Sequence, residues 1–244
     1  MLHIAVIQPL LVTGAASGIG REITLQALSA GCQVHAWDVN GAGLARLAGD
    51  CPAAAAGRLR TERVDAADPA DVERAMAVAA AGPGAPRAIV NCAGLPSGSQ
   101  VAFPDGVQGV IGTVQLVTET WLARECSRDG VVVSVASIAG NFAGGSGPAW
   151  YSAGKAAVAG YTRHLATHRP RGVRANAVAP GLVDTPRTQA LLHSDKGAEL
   201  VSVNPLGRVA TPADIAGVVL FLASEAAGYI NGAVIPIEGG LTLV

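Results

Sequence analysis

Short runs rich in Val, Ile and Leu recur along the chain, and each but the last is followed by a stretch of helical patterning. The runs cover 9–13, 33–38, 60–64, 88–91, 131–134, 174–179 and 233–237. Most lack a strict alternation of apolar and polar residues, as strands buried on both faces do. Helical patterns occupy 18–30, 42–48, 69–80, 106–126, 149–167 and 212–223. Asp68-Pro69 and Thr211-Pro212 mark two helix starts, each a capping residue followed by a proline in the first turn. Repeated strand–helix–strand units require a parallel sheet with helices on both sides. The expectation is an α/β fold: one doubly wound parallel sheet of about seven strands, forming a single domain over 1–244. No linker or domain boundary interrupts it. The stretch 184–204 is more polar and less regular, and is expected to form a mobile lid.

Composition narrows the partners. Half of the 244 residues are hydrophobic and 14% are charged, which favours a heavily buried protein. Aromatics are 4%, so the core must be built mainly from Ala, Val, Leu and Ile. The net charge is −1 and no basic stripe is present, which argues against nucleic-acid binding. The start 1–7 is a poor signal peptide, with no basic segment ahead of it. No run approaches the roughly 18 apolar residues of a membrane span. A soluble, cytoplasmic protein is expected. Cys32, Cys51, Cys92 and Cys126 are scattered without metal-ligand spacing, and read as free thiols in a reducing compartment, with no metal site.

The first apolar run leads into Thr13-Gly14-Ala15-Ala16-Ser17-Gly18-Ile19-Gly20, and a helix follows. Glycines let the backbone turn sharply and approach a ligand closely. The helix start then offers unpaired N–H groups and a positive dipole end to a diphosphate. Asp38 ends the second run about 20 residues further on, as dinucleotide binding expects of a carboxylate that accepts from the adenosine ribose hydroxyls. It would repel a 2′-phosphate. The loop carries no cation before Arg21, and none follows in Val39-Asn40. NAD(H) is therefore expected in preference to NADP(H).

A second constellation is Tyr151-Ser152-Ala153-Gly154-Lys155. Residues four apart share a helix face. An isolated phenol ionises near pH ~10, and a neighbouring ammonium stabilises the phenolate. Ser137 lies upstream, just after an apolar run.

With these residues in view, the chain resembles the short-chain dehydrogenase/reductase family over essentially its whole length. The glycine spacing is similar to that family's Thr-Gly-x-x-x-Gly-x-Gly signature, and Asn91-Cys92-Ala93-Gly94 to its Asn-Asn-Ala-Gly segment. Pro180-Gly181 resembles its Pro-Gly turn, and Glu238-Gly239-Gly240 its ending. The resemblance implies a Rossmann-type sheet and hydride transfer between a nicotinamide dinucleotide and a small alcohol or ketone. It implies that Ser137 bonds the substrate oxygen, Tyr151 is the acid/base, and Lys155 holds the nicotinamide ribose and tunes Tyr151. Gly14, Ser17, Gly18, Ile19 and Gly20 would cradle the diphosphate and Asp65 would flank the adenine. Asn91, Ala93 and Gly94 would line or support the cleft. Pro180 and Gly181 would form the turn under the nicotinamide, with Val183 and Thr185 gripping its carboxamide. A homotetramer, or a dimer, is implied, with a seam along the helices of 106–126 and 149–167.

Two positions depart from that pattern. Cys92 replaces the second Asn of its segment, and Gly109 stands where the family has an Asn that helps hold a relay water near the active-site Lys. Three readings stay open: water or a backbone carbonyl replaces that Asn, Gln108 substitutes for it, or proton transfer is crippled and the chain is a slow or dormant dinucleotide-binding scaffold. Gly106, Gly109 and Gly112 are expected to loosen a shortened helix. Asn141, Phe142, Trp150, Leu191, Leu192 and His193 are candidate pocket residues.

Overall fold

Successive residues of the central strands bury opposite faces. Leu10 and Val12 of strand β1 (Leu10–Thr13) join one core, whereas Leu11 joins another. Ala88 and Val90 of β4 (Ala88–Asn91) part from Ile89 in the same way, as do Val131 and Val133 of β5 (Val131–Val135) from Val132. A strand apolar on both faces must lie between two helical layers. The protein, described by a computed structural model over residues 5–82, 84–142, 147–168 and 172–244, has that architecture.

The remaining strands are β2 (Val34–Asp38), β3 (Leu59–Arg63), β6 (Arg174–Pro180) and β7 (Val234–Ile237). All seven are parallel, in the order β3-β2-β1-β4-β5-β6-β7. Helices α1 (Gly18–Ser29), α2 (Gly41–Asp50) and α8 (Pro212–Leu222) cover one face through Ile23, Leu44 and Ile215. Helices α3 (Pro69–Ala80), α4 (Phe103–Leu122) and α5 (Ala149–His168) cover the other through Met76, Trp121 and Leu165. This is a doubly wound Rossmann-type sheet. Its order reverses between β1 and β4, and the crevice beyond the carboxyl ends of those strands is where such folds bind ligands.

The expected helix starts are formed. Asp68 accepts from the Ala70 N–H ahead of α3, and Thr211 and Asp214 make a reciprocal capping box at α8. Two expectations are corrected. Helix α4 starts earlier than the expected residue 106: it has 20 residues and begins at Phe103, because Pro104 sits in its first turn and presets a helical φ. The stretch 184–204 is not irregular throughout. It contains α6 (Gln189–Leu192) and α7 (Asp195–Ser202), the latter capped by the Ser194 side chain on Gly197 N. Among the described residues no helix is long and apolar enough to cross a membrane, and no cluster of His, Cys, Asp and Glu suits a metal.

Candidate active site

From Thr13 the chain turns through Gly14, at φ +68°, and enters α1 at Gly18, at φ +52°. A Cβ on Gly14 would stand 2.9 Å from Ala93 N, and one on Gly20 2.2 Å from the Gly14 carbonyl oxygen. Glycine at both places lets the loop, α1 and the segment after β4 close on one another. The Thr13 hydroxyl fastens them, accepting from Cys92 N and Ala93 N at 3.1 Å each. The first-turn N–H groups of α1 have no partner four residues back, and the Ser17 side chain does not cap them. Ser17, Gly18 and Ile19 border a cleft of about 530 Å³. Donors and the positive end of a helix therefore meet there, a cradle that fits a diphosphate.

The cleft crosses the carboxyl ends of the strands. At one end stand Asp38 and Asp65. The Asp38 carboxylate accepts from Ala16 N at 2.9 Å and Asn40 N at 2.8 Å, which fixes it at the rim. Asp65 accepts from Ala67 N at 2.9 Å. Ala93 and Gly94 border the middle, and Pro180, Gly181, Val183 and Thr185 the far side. Two expected contributors are not on the wall. Gly20 lies behind the loop. Asn91 is buried beneath the cleft, where its Nδ2 donates to Thr118 Oγ1 at 2.9 Å and ties β4 to α4.

Ser137, Tyr151 and Lys155 border the other end. Lys155 is only 8% exposed; its Nζ donates to the Val135 carbonyl at 2.6 Å and lies 5.8 Å from the Tyr151 ring centre. Ser137 Oγ accepts from Ala139 N at 3.2 Å. Gly140, at φ +83°, lies so close to α5 that a Cβ would stand 2.1 Å from the Ser152 carbonyl oxygen. Asn141 does not line the cleft. Its Nδ2 donates to the carbonyls of Ser137 at 2.7 Å and Lys155 at 3.2 Å, binding loop to helix. Phe142, Trp150, Leu191, Leu192 and His193 are also absent from the wall. Leu95, Pro96, Gly109 and Thr113 occupy it instead.

Gly109 is part of that wall because its carbonyl accepts from Leu95 N at 3.0 Å, and a Cβ on it would press on the Leu95 side chain at 3.1 Å. Gln108 is exposed and lies over Gly112, so it does not stand in for the missing Asn. Two wall residues, Arg187 and Thr188, escape sequence reasoning, while Cys92 lies on the wall with the segment that carries it. Burial pushes the Cys92 thiol up, against the opposing charges of Lys155 and Arg187. Thr188 accepts from Thr185 N at 3.0 Å and donates to the Val183 carbonyl, bracing that segment. Arg187 reaches Gly94 O at 3.4 Å. The cation following Thr185-Pro186 was the one available signal.

Comparison with known proteins fits this geometry. The profile of a family described as enoyl-(acyl carrier protein) reductase matches residues 14–242. The 3-oxoacyl-[acyl-carrier-protein] reductase FabG of Thermotoga maritima is 32% identical over 244 residues, covering 96% of this chain and 97% of that one. The chain belongs to the short-chain dehydrogenase/reductase family. Another member, the (3R)-3-hydroxyacyl-CoA dehydrogenase of Mus musculus, is 35% identical over 250 residues, covering 95% of each chain. The cyclohexanol dehydrogenase of a Rhodococcus strain is 42% identical, but over 137 residues, about half of either protein. Among solved structures, a short-chain dehydrogenase/reductase from Brucella melitensis superposes with a TM-score of 0.89 at 29% identity, over 99% of both chains. The relatives are oxidoreductases, and the family acts on CH–OH groups with nicotinamide coenzymes. Within this family, the cradle at Gly14 and Gly18 is a structural fit to the coenzyme diphosphate.

Proposed function

We propose that this protein transfers hydride between NAD(H) and a secondary alcohol or ketone, with Tyr151 as acid/base. The observation that carries the reading is one continuous cleft, with a carboxylate fixed at the rim by two backbone N–H groups and a Tyr–Lys pair at the opposite end. When bound, the nicotinamide supplies or accepts the hydride. In the reductive direction the Tyr151 hydroxyl donates its proton to the substrate oxygen; in the oxidative direction the phenolate takes it back. The Lys155 ammonium would stabilise that phenolate and bond the ribose hydroxyls. Ser137 Oγ donates to the substrate oxygen and orients it. Pro180 and Gly181 support the ring, while the Val183 backbone and Thr185 hydroxyl hold its carboxamide. Asp38 accepts from the adenosine ribose and disfavours a 2′-phosphate, and Asp65 flanks the adenine.

The substrate is a small alcohol or ketone, and the mixed wall of Leu95, Pro96 and Thr113 supports a partly apolar one. Assembly as a homotetramer, or a dimer, follows from the same reading. Ile111 and Leu116 of α4 and Ala156 and Ala157 of α5 are only half-buried and supply apolar surface for a seam. A cytoplasmic setting accords with four free thiols.

The test is a fluorescence titration with NADH and with NADPH, followed by an alcohol screen. NADH is expected to bind tighter, and Asp38→Ala to narrow that gap by roughly ten-fold or more, the scale of a lost charged hydrogen bond. Tyr151→Phe is expected to cut turnover by roughly a hundred-fold or more with NADH binding retained. Equal turnover in that variant would sink the acid/base assignment. Tight coenzyme binding without turnover on any alcohol or ketone would favour the dormant scaffold that Gly109 raises.

A further inference from the structure

Arg187 is an exposed cation on the cleft wall that the proposed reaction leaves unused. The segment before it rests on the glycine loop: Thr185 Cγ2 stands 3.3 Å from where a Cβ on Gly18 would be. Pro186 borders both the main cleft and a smaller cavity against Ser17, Gly18 and Arg21. From that root the guanidinium reaches 3.4 Å to the Gly94 carbonyl, on the segment that follows β4. The side chain thus bridges the two walls of the crevice where sheet order reverses.

The bridge is weak as it stands. A 3.4 Å contact with a neutral carbonyl lies beyond the usual range for N–H···O bonds. Among the described residues no carboxylate pairs with Arg187. The other cation of the cleft, Lys155, is already bonded to the Val135 carbonyl at the reaction end. A guanidinium matches two phosphate oxygens at once, and such charge-assisted bonds are about twice as strong as neutral ones. A dinucleotide in this fold sets its diphosphate against the first helix, at the switch between β1 and β4.

We propose that Arg187 is a clamp on the coenzyme diphosphate, exchanging its long bond to Gly94 O for paired bonds to phosphate oxygens. It would grip from the Thr185 side an anion that the α1 N-terminus already holds. The proposal rests on the reading that the cleft takes a nicotinamide dinucleotide.

The experiment compares wild type, Arg187→Met and Arg187→Lys. Binding of NADH is read by fluorescence, and binding of ADP-ribose, which keeps the diphosphate but lacks nicotinamide, by calorimetry. The site is exposed, so unchanged thermal midpoints are expected. Arg187→Met is expected to weaken both ligands by roughly ten-fold, about 1.4 kcal/mol, with a shallower dependence on salt. Arg187→Lys should recover part of the loss, because it restores the charge without the fork. Equal ADP-ribose affinity in wild type and Arg187→Met overturns the clamp and leaves the proposed function standing. That includes the case in which only the KM of an anionic substrate rises, which would assign Arg187 to the substrate. Wild type binding neither NADH nor ADP-ribose overturns the coenzyme reading and the clamp with it.

Discussion

Asn141 holds together two groups that the proposed chemistry needs in register. Its single amide nitrogen bonds the carbonyls of Ser137 and Lys155, so the loop after β5 and the helix carrying Tyr151 move as one. It touches no reacting atom and is a positioning residue. Asn141→Ala is expected to lower kcat by roughly ten-fold, the scale of a misplaced donor–acceptor pair, and to distort the pH–rate profile while NADH affinity holds. Asn141→Asp, which cannot donate, should behave like the alanine variant. A general loss of stability with an unchanged profile would contradict the role. Gly14, Tyr151 and Lys155 could be singled out in the sequence by short covalent spacing, a turn or one helical turn, and Asp38 by its place at the end of the second strand. The sequence offered Asn141 as a candidate pocket residue, and it does not line the cleft. What it bonds depends on how loop and helix meet in space, and the same is true of Arg187, 93 residues from the carbonyl it touches.

Among the elements, α4 tests how packing competes with propensity. Alanine in a helix interior is favoured over glycine by roughly 1 kcal/mol. At Gly106 a Cβ would stand 2.3 Å from the buried Trp150 ring, and overpacking of that kind costs roughly 1–3 kcal/mol. At Gly112 the obstructing atom is the far end of the exposed Gln108 side chain, which can swing away. Gly106→Ala is therefore expected to destabilise the protein and Gly112→Ala to stabilise it slightly, read as opposite shifts of the urea midpoint. Shifts of the same sign would refute the packing account. The existence and chain order of most strands and of the major helices could be read from apolar spacing, because a strand between two layers has no polar face; the polar edge strand β3 is the exception. The start of α4 could not, since Gly106, Gly109 and Gly112 obscured the pattern. Two of these glycines are matched to Trp150 and Leu95, partners brought there by tertiary packing.

For the molecule as a whole, one buried histidine sets a pH window on stability. Burial pushes the His35 pKa below its ordinary 6.5, opposed by its bond to the Gly84 carbonyl, with Nε2 2.8 Å from that oxygen. The unfolded chain therefore binds the proton first, and the folded state loses stability as pH falls below 6.5 toward the lowered value. Asp214, held down by Arg208 and the Thr211 N–H, and Asp71, held down by the Asp65 N–H and Arg74, act in a separate window. Their contributions are present above the ordinary 3.8 and vanish in stronger acid. Both lie half-buried at the surface, where solvent still screens them, so the upper window dominates. Replacing His35 by Gln is expected to flatten the decline in thermal midpoint between pH 7 and 5. An undiminished slope in that variant would place the sensitivity elsewhere.

The reversal of sheet order also bears on how the protein is made. One wall of the crevice is complete once β1, β2 and β3 have emerged, but the facing wall waits for Pro180 through Thr188. Until then the glycine loop meets only the segment after β4 and lacks the Thr185 side chain that packs against Gly18. A coenzyme that engages both walls, as proposed, can then stabilise only a chain translated past Thr188, so ligand supply in the cell would favour such chains over fragments stalled before it.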